Sequence, residues 1–191
     1  MRRGGTLAYC VRHELVRSSS RYALSVNGMT TTAATLAIPV RLDVDTHAAA
    51  FCKAMTHLDT VATRQLDDVG FDPGLRDLLR LRASQINGCA YCVDTHSRDA
   101  RAAGESEQRV AAVAVWREAP FFTARERAAF AFTESVTLVA DTHVPAEAYD
   151  AVAEHYKPDE VAALLALIVT INAWNALSVA SRAWTPERRE V

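Results

Sequence analysis

The sequence predicts an all-α domain, and three observations carry that reading. From Thr46 onward, apolar residues recur at spacings of three and four, the period of a helix with one buried face. Alternation of the strand type is confined to one short stretch, TLAIPVRLDV at 35–44. Helix-start and helix-stop residues (Asp72-Pro73, Asn87-Gly88, Gly104, Ser106, Thr123, Pro145 and Pro158) punctuate the periodic segments. With 191 residues, 50% of them hydrophobic and 23% charged, the chain is long enough for one ordinary domain with a real core.

Taken in order, Phe51, Met55, Leu58 and Ala62 place an apolar stripe on a first helix. VGFDPG interrupts it; Asp72 suits the N-cap of the next helix and Pro73 its first position. That helix reaches about Gln85, with Leu75, Leu78, Leu79 and Leu81 toward the core. Asn87-Gly88 is a turn signal, and a helix from Cys89 to Ala103 follows, ended by Gly104. Ser106 starts a short helix that stops before EAPFF. Thr123 caps the next, along which Ala128, Phe132, Val136 and Val139 form the buried stripe. Val144-Pro145 opens a helix through His155, and Pro158 opens the last, through about Arg182. Seven or so helices result, with no fixed short repeat.

A net charge of −2 argues against general affinity for nucleic acid or anionic membrane. No apolar run approaches the ~18 residues of a membrane span. The most apolar segment, VAALLALIVTINAWNALSVA, contains Asn172 and Asn175 and reads as a buried helix. Four cysteines are too few for a disulfide scaffold, so a reducing, cytoplasmic setting is expected. Residues 1–28, with Arg2, Arg3, Arg12, Arg17 and Arg21 against the single acid Glu14, read as a poorly ordered basic extension ahead of a domain over 29–191.

The chemistry concentrates in QINGCAYCVDTHSRDAR. On a helix, Cys89, Cys92 and His96 fall within an arc of ~60° and converge on one face. Cys89 sits in the first turn, where free amides and the helix dipole favour a thiolate. His96 is one turn beyond Cys92 and is placed to take its proton. Zinc binding, a short structural disulfide and an inert buried cluster are the competing readings. Zinc lacks a second ligand pair, and the loop between the cysteines is too short for a disulfide to stabilise much. Redox chemistry is favoured. Trp116 and Trp174 read as core or subunit-interface aromatics; Glu126 and Glu134 read as solvated or ion-paired.

The segment LLRLRASQINGCAYCVDTHSRDARAAGESEQRV resembles the core motif of the alkylhydroperoxidase D-like branch of the carboxymuconolactone decarboxylase superfamily. VWREAPFFTARERAAFAFTESVT and INAWNALSVASR resemble the segments that follow it, so the likeness extends from about Ile38 to Trp184. It implies an all-helical fold, assembly into homo-trimers or homo-hexamers, and peroxide reduction through the cysteine pair, restored by an external dithiol. Neither a cofactor nor a resident metal is expected. Carried over position by position, the catalytic residues are Cys89, Cys92, His96 and Asp77, the last standing where the family typically has glutamate. The shorter side chain leaves direct and water-bridged contact with His96 both open. A mechanism consistent with these residues has His96 withdraw the proton of Cys92, whose thiolate attacks the hydroperoxide, with Cys89 resolving the sulfenic acid; the dipole argument alone favours Cys89 as the more exposed partner of the exchange step, so the order stays open. A redox sensor or disulfide carrier with little turnover, and a lactone decarboxylase-like enzyme, are the alternatives.

Overall fold

A computed structural model describes residues 38–186; the basic segment 1–28 lies outside the described residues. Within them the chain forms helices α1 (Val44–His47), α2 (Ala49–Asp68), α3 (Pro73–Ile86), α4 (Ala90–Ala102) and α5 (Glu107–Ala112). A 3-10 turn (Val113–Val115) then leads to α6 (Ala124–Thr137), α7 (Val139–Thr142), α8 (Ala146–Ala153) and α9 (Pro158–Ser181). No strand occurs among the described residues, and the described part of the alternating stretch at 35–44 runs as irregular chain into α1.

The punctuation works as the residue types require. Asp72 Oδ1 accepts from the Leu75 N–H at 2.7 Å, and Pro73 opens α3. Thr123 and Glu126 form a reciprocal capping box at the start of α6. Gly88 and Gly104, at φ +68° and +104°, end α3 and α4 in backbone that residues with a Cβ seldom adopt.

The core lies where α3, α6 and α9 meet, around the fully buried Leu78, Leu79, Phe130, Leu164 and Ile168. Trp116 stacks on Phe130 at 5.5 Å between centroids, and Trp174 is buried as well. Glu126 pairs with Arg109 and Glu134 with Arg82, so both acids are ion-paired.

Two expectations are corrected. The stripe expected on the first helix is turned by about one residue: Cys52, Met55, Ala62 and Leu66 are buried, whereas Phe51 and Leu58 are 56% and 44% exposed. At 3.6 residues per turn, adjacent stripes share members such as Met55 and Ala62, and only the position of α9 decides which is covered. The second concerns α9. Its 24 residues are long and apolar enough to cross a bilayer. More than half of its most apolar stretch is buried in the bundle, and Asn172 and Asn175 are hydrogen-bonded there to Asn87, so α9 is the central packing helix of this fold.

Candidate dithiol site

α3 and α4 are the two arms of a helical hairpin, closed by a hydrogen bond of 3.0 Å from Cys89 N–H to the Ser84 carbonyl. Asp77 lies nine residues before Ile86 and His96 nine after Asn87. Asn87, Gly88 and Cys89 lie between the helices, so His96 is only six residues into α4, and the tight turn folds that shorter arm back along α3 until the two side chains meet. The His96 Nδ1–H therefore reaches Asp77 Oδ1 directly, at 3.1 Å, with no water between them. Donation from Nδ1 leaves Nε2 as the basic nitrogen. Arg80 flanks the same carboxylate oxygen at 3.4 Å and is itself held by Thr63. Burial pushes the Asp77 carboxyl up, but the His96 hydrogen bond and the Arg80 charge outweigh it and hold the group below its ordinary value.

Cys89 is the N-cap of α4: its sulfur accepts the backbone N–H of Cys92 at 3.3 Å. Both cysteines are 1% exposed and pack with Ala83 and Ile171 in a small cluster apart from the main core. The neighbouring Cys92 side chain does most to lower the Cys89 thiol, to about 6, against the opposing effect of burial. The Ser178 hydroxyl, the Cys92 N–H and the Asn175 side chain act in the same direction. Cys92 is pushed strongly upward, first by the neighbouring Cys89 side chain, then by burial and by the charge on Cys89. The two directions favour the negative charge on Cys89 and the proton on Cys92.

All four residues expected from the sequence fall on the α3–α4 hairpin. Asp77 and His96 are in contact, Cys89 and Cys92 are in contact, and His96 stands one turn beyond Cys92 on the same face of α4. The sequence reading overlooked Asn175 and Ser178, which reach the sulfurs from α9. Their signal was present: asparagines in the most apolar stretch of the chain have to be hydrogen-bonded to be buried there. Asp99 was missed too. Asp77, His96 and Asp99 each offer a ligand atom within 4.8 Å of the others, a set that could hold a metal ion and that includes neither cysteine. Arg80 places a fixed cation beside it.

Tyr91, half-buried, packs against the cysteine cluster, and Trp184 lies against Tyr91 and Trp174 with centroids 6.1 and 5.7 Å away. A hydrogen bond from Trp184 Nε1 to Asp45 at 2.9 Å anchors this cover. Trp184→Ala is expected to raise the alkylation rate of the reduced cysteines several-fold with the helical circular dichroism unchanged; an unchanged rate would show that Trp184 does not limit access.

Fold and site together define a helical dithiol protein, with a cysteine pair opening one helix and a His–carboxylate pair behind it. Residues 49–135 match the carboxymuconolactone decarboxylase family. The Bacillus subtilis (strain 168) protein YdfG, itself uncharacterised, is 43% identical over 105 residues, covering 55% of this chain and 71% of that protein. Among solved structures, a protein of unknown function from Agrobacterium tumefaciens, a suggested antioxidant defence protein AhpD, is 33% identical with a TM-score of 0.73. It is matched over its whole length by 78% of this chain. The debrominase Bmp8, at 20% identity and a TM-score of 0.60 over 74% of each chain, shares the fold. The chain belongs to the carboxymuconolactone decarboxylase family and is AhpD-like.

Proposed function

We propose that this chain is a thiol-dependent peroxidase that reduces alkyl hydroperoxides or hydrogen peroxide through Cys89 and Cys92. The observation that carries this reading is the geometry of the pair: a Cys89 sulfur capping α4 at 3.3 Å from the Cys92 N–H, with the Asp77–His96 pair one turn further on. The nucleophile is Cys89, in one of the two orders the sequence leaves open, because the charge is favoured there and the proton on Cys92.

The Cys89 thiolate attacks the terminal oxygen of the hydroperoxide, the O–O bond breaks, and the alkoxide leaves with the proton that Cys92 held. Cys92, now a thiolate, attacks the Cys89 sulfenic acid; the S–S bond forms and hydroxide departs. His96, oriented by Asp77, delivers a solvent proton to that hydroxide, giving water. An external dithiol then reduces the disulfide by exchange. Large apolar side chains left exposed on the neighbouring helices α2 and α9 (Phe51, Leu58, Val61, Leu165 and Val169) support a homo-oligomer as the working form.

Thiol titration before and after one equivalent of hydroperoxide, with peptide mapping, tests the reading. Two thiols lost per chain, mapping to a Cys89–Cys92 disulfide, with continuing peroxide consumption when a dithiol is supplied, is the expected result. Disulfide formation without continuing consumption would mark a carrier or sensor instead, and no oxidation of the pair would overturn the proposal.

A further inference from the structure

The hydrogen-bonded chain of amides behind the cysteines has one consistent polarity, and it can be read from either end. Asn172 Nδ2 donates to the Ile168 carbonyl at 2.8 Å, and a carbonyl only accepts. The Asn172 amide is therefore oriented, and its Oδ1 faces Asn87. Asn87 must then present its NH2 group, which donates to Asn172 Oδ1 at 2.7 Å and to Asn175 Oδ1 at 3.0 Å. With its oxygen committed, Asn175 turns its NH2 the other way, to Ser84 Oγ at 3.1 Å, on the side of the cysteine pair, where it acts to lower both thiols. From the opposite end, the Ser84 hydroxyl donates to the Arg80 carbonyl at 2.7 Å, so its oxygen can only accept from Asn175. Two backbone carbonyls, in different helices, thus determine the same orientation.

A flipped Asn175 would set its NH2 against that of Asn87 and its oxygen against a sulfur, in a position that is 0% exposed and beyond the reach of solvent. Ser178, three residues on along α9 and 4% exposed, acts on the Cys89 thiol in the same direction. N–H and O–H donors stabilise a thiolate more than a disulfide sulfur, so they favour the reduced pair.

We propose that Asn175 is the fixed hydrogen-bond donor of the dithiol site, locked by Asn87, Asn172 and Ser84 so that it holds the negative charge on Cys89 and makes the Cys89–Cys92 disulfide easier to reduce. This rests on the dithiol being the working site, and not on which oxidant it meets.

The test measures the iodoacetamide reactivity of Cys89 against pH, by peptide mapping, and the dithiol–disulfide equilibrium in glutathione buffers, for the wild type, Asn175→Asp and Asn175→Ala. Both variants are expected to move the alkylation midpoint up by about half a pH unit and the equilibrium about threefold toward the disulfide. Asn87→Ala combined with Ser84→Ala leaves Asn175 in place but removes both groups that orient it, and is expected to shift both readouts in the same direction by less. Unchanged midpoints and equilibria in folded Asn175 variants would overturn the proposal. Should those variants fail to fold, unchanged values in the Asn87→Ala, Ser84→Ala double variant would overturn it equally. Peroxide consumption is not a readout, so a protein inert to peroxide would leave this test standing.

Discussion

Replacing Cys89 with serine is expected to slow the reaction of the reduced protein with an organic hydroperoxide at least about a thousandfold at neutral pH, the scale on which enzymes lose rate with their nucleophile. Cys92→Ser is expected to retain the first oxidation, because a serine hydroxyl can still donate to the Cys89 sulfur, and to stop at the sulfenic acid. With Cys89 held at about 6, the wild-type rate should rise through that pH and level off above it. A stability effect accompanies this. The folded value lies below the ~8.5 of a thiol in an unfolded chain, so the Cys89 thiolate stabilises the reduced protein fully above that value. The contribution shrinks as pH falls from there and is gone below about 6. Stopped-flow oxidation and urea denaturation under reductant, at pH values on either side of that interval, check both statements. A Cys89→Ser protein that keeps the wild-type rate and pH profile would move the chemistry to Cys92.

Glu134→Ala is expected to cost about 3–5 kcal/mol of stability, the range for removing one partner of a buried ion pair. Glu134 on α6 is 9% exposed and accepts from Arg82 Nε at 2.6 Å, from Trp116 Nε1 at 2.8 Å and from Arg117. Without it, the Arg82 guanidinium is stranded between α3 and α6 beside a Trp116 indole that has lost its acceptor. Burial pushes the Glu134 carboxyl up, while the hydrogen bonds from Trp116, Arg117 and Arg82 prevail and hold it below the usual carboxylate range. Its contribution is therefore present above the ordinary glutamate pKa and lost as pH falls through the lower folded value. Because Arg82 belongs to the same helix as Asp77, the loss should also loosen the arm that carries the carboxylate. A urea transition shifted by under about 1 kcal/mol would show that the cluster is effectively solvated.

Much of this was legible in the residue order because it depends on near neighbours. Helix ends follow from Asp72-Pro73, Thr123 with Glu126, Ser106 and Gly104, whose effects act within a turn. A CxxC followed four residues later by histidine brings three side chains to one face of any helix. The turn signal at Asn87-Gly88 shows that α4 folds back along α3, but not which of their residues come level.

The remainder turns on partners far along the chain, and spacing says nothing about those. Phe51 and Leu58 fit the helical period of α2 as well as Cys52 and Leu66 do, and only the seating of α9 against α2 selects the buried set. The count could not decide whether aspartate is long enough to touch His96; the approach of α3 to α4 does. Which sulfur keeps the charge depends on Asn175 and Ser178, brought from α9 to the start of α4. The donor role of Asn175 depends in turn on carbonyls of Ile168 and Arg80 in two different helices. Local periodicity fixed the helices and the face that carries the thiols, whereas the direction of each hydrogen bond around them was settled only when distant backbone came within reach.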